Sequence, residues 1–177
     1  MFPARDAATS DDSDRDNHEL KQYHSFKSLS LHDDLLRGIY ENRFERTSHI
    51  QEVGLAPMLA GRDAYLKSRC GTGKTTAFCI SVLHRAFMAP PRPEAPCCVY
   101  LCPQQEDVHS IAAILRNLGN HVKDGRCACK ELTGISRAEV VDWKQERPSI
   151  VVGTPRRVLE ADHCGVRCIT SRTADCC

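Results

Sequence analysis

The chain has 177 residues, with 24 Lys and Arg against 23 Asp and Glu and a formal net charge of +1. That length suits one domain with a substantial core. The even charge balance excludes a protein-wide basic footprint, so any nucleic-acid contact must come from a local patch. No apolar run is long enough to span a bilayer. The opening segment, MFPARDAATSDDSDRDNHE, lacks an apolar h-region and is too acidic for a transit peptide. A cytoplasmic or nuclear protein without membrane association is expected.

Residues 1–24 are polar and acidic, with Asp6, Asp11, Asp12, Asp14 and Asp16 among few apolar groups. Such a segment buries too little surface to offset its ordering entropy and is expected to be disordered. From Leu31, Leu35, Leu36 and Ile39 share one helical face, with acidic residues in the first turn. RTSHIQEVGLAPMLAG reads as a second helix, capped by Thr47 or Ser48, kinked or restarted at Pro57 and stopped at Gly61. DAYLKS is a short strand candidate, and KTTAFCISVLHRAFM a strongly apolar helix.

After the proline-rich APPRPEAP, CCVYLC reads as a buried strand. A helix follows from Asp107 to Leu118, with Val108, Ile111, Ile114, Leu115 and Leu118 in register. RCACKEL is a strand candidate, AEVVDWKQE a helix with Trp143 on its apolar side, and SIVVG a buried strand. TPRRVLEA opens a further turn and helix. Alternating strands and helices imply an α/β fold, a parallel sheet covered on both faces. Residues 161–177 lose all period and form a Cys-rich tail.

The 11 cysteines admit three readings. A secreted disulfide scaffold conflicts with the odd count and the chain length. Reduced cysteines serving as small core residues is the plain alternative. A zinc site is the sharper one, with Cys127, Cys129, His163, Cys164, Cys168, Cys176 and Cys177 as the available ligands, although no pair has the C-x2-C spacing.

The chemistry concentrates in SRCGTGKTTAF, residues 68–78. Gly71 and Gly73 permit backbone conformations closed to other residues, so that N–H groups point inward at phosphate oxygens. A helix opening at Lys74 adds its positive dipole end. Lys74 supplies a point charge for outer phosphates, and the Thr75 hydroxyl suits Mg²⁺. Upstream lies RFERTSHIQ, with Phe44 and Gln51.

In order and spacing these segments resemble the DEAD-box ATP-dependent RNA helicases, nearest to the translation-initiation-factor-like branch. Phe26 stands for the upstream aromatic, Phe44, Ile50 and Gln51 for the Q motif, and SRCGTGKT for motif I. PQQEDV occupies the place of PTRELA, and VGTPRR that of the TPGR box. The likeness runs from about Ser25 to Glu160. It implies a RecA-like P-loop NTPase domain over 25–160, the first of two, incomplete at its C-terminal end. It implies ATP and Mg²⁺ as cofactors and RNA as partner, with other helicase or RNP components possible and no DNA specificity. In that scheme Gln51 reads adenine, Phe26 stacks on the base, and Phe44 completes the pocket. Cys70, Gly71, Thr72, Gly73, Lys74, Thr75 and Thr76 hold the phosphates, with Thr75 on Mg²⁺. Pro103, Gln105, Thr154, Pro155, Arg156 and Arg157 face RNA.

The sequence departs from the family pattern at several points. Arg43 stands for a glycine, Thr47 for a proline, Ser68 for Ala or Gly, and Gln105 for the arginine of PTRELA. KELTG replaces the GG doublet, and Arg156 the glycine of TPGR. TADCC stands where the Asp-Glu-Ala-Asp of motif II is expected, so no catalytic carboxylate is assigned. The expectation is a truncated first helicase domain that binds ATP and turns it over poorly or not at all. The alternatives are a non-catalytic RNA- or partner-binding fragment and a small P-loop kinase, the latter disfavoured by the ordered residues preceding the cradle.

Overall fold

The computed structural model describes residues 25–88, 96–122, 125–133 and 146–164. The acidic arm, nearly all of the proline-rich connector, the expected helix around Trp143 and most of the Cys-rich tail lie outside the described residues. A single 3-10 turn, Phe26–Leu29, leads into α1 (Asp33–Glu41). His32 caps α1 through Nδ1, which accepts from the Asp34 N–H at 3.2 Å, and Asp33 and Asp34 favour its positive end. Leu35 and Ile39 are buried. Gly38 lies so close to Leu118 that a Cβ there would collide with the Leu118 carbonyl oxygen.

Helix α2 (His49–Leu59) begins at Ser48, the cap, while Thr47 is buried just ahead of it. Pro57 does not restart the helix, because it falls in the last turn. Gly61, at φ +75°, ends it, with the Gly61 N–H donating to Met58 O at 3.0 Å. Helix α3 (Lys74–Met88) buries Ala77, Cys79, Ile80, Leu83 and Ala86. Strand β1 (Cys98–Leu101), α4 (Gln105–Leu118), β2 (Cys129–Leu132), β3 (Ile150–Gly153) and α5 (Pro155–His163) follow. The last helix runs three residues beyond Glu160.

The three strands are parallel in the order β1-β3-β2, with Cys98 and Cys129 both level with Ile150. Because side chains alternate along a strand, Cys98, Tyr100, Ile150 and Val152 join the main core with residues of α1 to α4. Val99, Val151 and Leu132 turn to the other face, under Val158 and Ala161 of α5. Helices therefore cover both faces of a parallel sheet, as the sequence implies. DAYLKS alternates between exposed and half-buried residues; Lys67 forms a bridge, and no ladder continues from it among the described residues. Leu66 packs against α2, 2.8 Å from where a Cβ on Gly54 would stand.

Arg43 occupies the left-handed region at φ +62°, a conformation that costs a non-glycine residue roughly 1–2 kcal/mol. Two substitutions should therefore act with opposite sign in urea unfolding. Gly38→Ala is expected to destabilise by about 1–3 kcal/mol, overpacking outweighing the gain in helix propensity. Arg43→Gly should stabilise by up to about 1 kcal/mol, relief of strain being partly offset by glycine's greater unfolded-state entropy. A more stable Gly38→Ala would contradict the close approach of α1 to α4.

Candidate phosphate-binding site

Extended chain over 62–68 enters a tight loop that α3 terminates. Gly71 and Gly73 adopt φ +79° and +97°, the left-handed territory in which a Cβ is strained. Space above Gly71 is open, while a Cβ on Gly73 would stand 2.5 Å from Gln51 Nε2. The loop closes on its own lysine: Lys74 Nζ donates to Ser68 O at 2.7 Å, Arg69 O at 2.6 Å and Ser68 Oγ at 3.2 Å. The Ser68 and Thr72 hydroxyls lie 2.6 Å apart, and Thr72 Oγ1 also donates to Arg69 O at 2.9 Å. Cys70 and Thr75 are exposed, and Thr76 is half-buried. Glycines at positive φ, a lysine and an exposed Thr75 hydroxyl at a helix start are a donor set suited to phosphates and Mg²⁺.

Gln51 is only 4% exposed and braces this loop from behind. Its Oε1 accepts from the Ser48 N–H at 2.9 Å, the side-chain half of a capping box. Its Nε2 donates to Gly73 O at 3.2 Å, and Ser48 Oγ donates to Thr72 O at 2.7 Å. The first turn of α2 is thus bonded to the phosphate loop at two successive carbonyls.

The aromatic residues divide. Phe44 is half-buried against the main core. Phe26, expected to stack on the base, lies at zero exposure inside the core. Burying a phenyl ring stabilises by roughly 1.5–3 kcal/mol, which is what holds it inward.

The second group assembles at the carboxyl ends of neighbouring β1 and β3, joined by the Cys102 N–H donating to Gly153 O at 2.9 Å. Pro103 is exposed there, and Gln105 opens α4 half-buried. The Gln105 Nε2 is shielded from solvent without a partner among the described residues, so it is not presented outward. Thr154 caps α5, and Pro155 sits in its first turn. Arg156 and Arg157 both donate to Glu160, Nε to Oε1 at 2.9 Å and Nη1 to Oε2 at 2.7 Å.

Among the described cysteines, Cys79 and Cys102 are buried, Cys97, Cys98, Cys127 and Cys129 half-buried, and Cys70 and Cys164 exposed. Burial pushes Cys79 up to about 12, and Cys127 and Cys129 up to about 11. The hydrogen bond with Cys97 and then burial raise Cys98 as well. Burial thus favours the neutral thiol at these positions. Among the described residues no group of three or more metal-ligating side chains comes together. Cys168, Cys176 and Cys177 lie outside them. No helix among the described residues is long and apolar enough to cross a membrane.

Ser48, read only as a helix cap, and Glu160 were not matched to any motif. The Ser48-x-x-Gln51 spacing of a capping box and the Arg156-x3-Glu160 spacing of a helical ion pair were their signals.

A parallel α/β sheet, a glycine-turned loop closed on a lysine and a helix opening at that lysine define a P-loop domain. Residues 48–170 match the DEAD/DEAH box helicase family, and the chain belongs to that family. It is 37% identical over 134 residues to the ATP-dependent RNA helicase eIF4A of Yarrowia lipolytica, covering 76% of this chain and 33% of that one. Identity with Eukaryotic initiation factor 4A-3 of Arabidopsis thaliana is 35% over 136 residues, covering 77% and 32%. The chain therefore spans about a third of the length of these curated relatives. Among solved structures, S. cerevisiae Dbp5 bound to RNA and ADP BeF3 superposes at TM-score 0.68 with 29% identity, over 80% of this chain and 34% of that one. Prp28 of Chaetomium thermophilum, at 21% identity and TM-score 0.70 over 84% and 36%, shares the fold. The architecture is that of a RecA-like helicase domain.

Gln51→Glu tests the brace. The isostere keeps the acceptor for Ser48 and loses the donor for Gly73, setting a carboxylate against a carbonyl. Losing one buried hydrogen bond typically costs about 1–3 kcal/mol, so urea unfolding is expected to show a destabilisation of that order. An unchanged midpoint would mean that the Gln51–Gly73 bond does not hold the loop.

Proposed function

We propose that this chain is the ATP-binding first domain of an RNA helicase, and that its own residues hold ATP and present a rim to RNA. The observation that carries this is Gln51, bonded at once to Ser48 N and Gly73 O. Each end of a carboxamide has capacity for a second bond. The remaining lone pair on Oε1 and N–H on Nε2 form the donor–acceptor pair that adenine's N6/N7 edge complements. Lys74 and the loop N–H groups would meet the β- and γ-phosphates, and Thr75 the Mg²⁺. ATP with Mg²⁺ would supply the phosphoanhydride whose cleavage drives remodelling.

Binding requires an exchange, because Lys74 must leave the carbonyls of Ser68 and Arg69 to meet phosphate. Arg156 is exposed and Arg157 half-buried at the start of α5, and together with Pro103 they would form the RNA-facing rim. The sequence has no Asp-Glu-Ala-Asp. A general base contributes about 10²–10⁴ in rate, so this chain by itself is expected to bind ATP well and to release phosphate slowly.

A fluorescent ATP analogue titrated into the parent, Lys74→Ala, Gln51→Ala and Ser68→Ala checks the proposal. Lys74→Ala and Gln51→Ala are each expected to weaken binding roughly ten- to hundredfold. Ser68→Ala removes one bond that the loop must surrender, so it should tighten binding about two- to tenfold. Equal affinity in the parent, Lys74→Ala and Gln51→Ala would sink the nucleotide assignment.

A further inference from the structure

We infer that Glu160 is a charge latch on the RNA-facing rim, occupying both Arg156 and Arg157 so that an RNA phosphate must displace its carboxylate to engage them. The inference rests on the proposal that this rim meets RNA. Its support is geometric. The two carboxylate oxygens are divided between two guanidiniums, Oε1 to Arg156 Nε at 2.9 Å and Oε2 to Arg157 Nη1 at 2.7 Å. The spacing i,i+4 and i,i+3 on one helix turn makes the arrangement local, formed wherever α5 forms. The Arg156 side chain is 86% exposed, so its partner is fixed by Glu160 and by nothing from the core. The hydrogen bonds from Arg156 and then Arg157 hold the Glu160 carboxyl below the usual carboxylate range, so it stays ionised at neutral pH.

A guanidinium already paired to a carboxylate contributes little attraction at long range. Moving it onto phosphate trades one charged partner for another. The extra arginine at 156 therefore does not add a full cationic contact. Glu160 cancels much of it until RNA arrives, and Arg156 and Glu160 act as a coupled pair in setting RNA affinity.

Fluorescence anisotropy of a short fluorescein-labelled oligouridine, read across a salt series at saturating ATP analogue, tests this. Glu160→Gln should tighten binding about two- to tenfold at low salt and steepen the salt dependence by up to about 0.7 per arginine freed. In Arg156→Gly/Glu160→Gln the gain should shrink to the part that freeing Arg157 supplies, because the Arg156 and Glu160 substitutions are coupled. Asp33→Asn on α1, with the same change in net charge, should leave affinity at the parent's value. An equal gain in Asp33→Asn would reduce the effect to net charge and overturn the latch. So would strictly additive effects of Arg156→Gly and Glu160→Gln. An Arg157→Ala chain that loses affinity while Glu160→Gln changes nothing would overturn the latch and leave the RNA rim standing. Absence of RNA binding in every variant at low salt would overturn both.

Discussion

The buried carboxamide of Gln51 is the constraint on which the site depends. At 4% exposure it cannot satisfy itself with water, and an unmade bond there costs about 1–3 kcal/mol. Its two bonds fix the first turn of α2 against the carbonyl of Gly73. That position must be glycine for two separate reasons: the backbone is at φ +97°, and a Cβ would strike the Gln51 amide. Once Gly73 is placed, the direction of α3 is placed with it, because the helix starts at the next residue. The apolar face of α3, from Ala77 to Ala86, then sets the depth at which the loop sits over the core.

The sheet supplies the second half of the geometry. β3 is central and wholly buried, so Ile150, Val151 and Val152 must be apolar on both faces. Parallel pairing brings the carboxyl ends of β1 and β3 to one side, and the turns that leave them become neighbours. Ligand sites of open α/β sheets form at such ends. Pro103, Thr154 and Arg157 are thus gathered by strand direction, although fifty residues or so of chain separate β1 from β3 in a sheet whose neighbours are non-consecutive.

What was legible in the sequence was whatever a local pattern encodes. The apolar run of α3, the register of α4 and the β-branched run of β3 are self-contained signals, and each formed at the expected place. DAYLKS carried the right alternation and Lys67 forms a bridge, but a strand is a relation between two segments and no ladder is completed among the described residues. Its apolar member, Leu66, packs against a helix glycine. Phe26 could be recognised as an aromatic in the right place, yet its burial depends on the assembly of the main core that it joins. The cap at Ser48 was ambiguous with Thr47 until the Gln51 side chain chose between them. Glu160 was readable as an i,i+4 partner, but attention to motif residues passed over the one that neutralises them.

Ser68 and Arg156 change the energetics in the same way. In each case the family pattern has a small residue and this chain has one that carries a hydrogen-bonding group. The structure satisfies those groups internally, Ser68 Oγ within reach of Lys74 Nζ and Arg156 paired to Glu160. The cations that would meet phosphate are therefore already bonded. Phosphate binding at either place would be an exchange of partners, and its net free energy the small difference between two charge-assisted bonds rather than the value of one. Such a difference is governed less by how many cations line the site than by how well their resting partners hold them. Neutral residues such as Ser68 and acidic ones such as Glu160 accordingly have a leverage over affinity of their own, smaller than that of the lysine and opposite in sign.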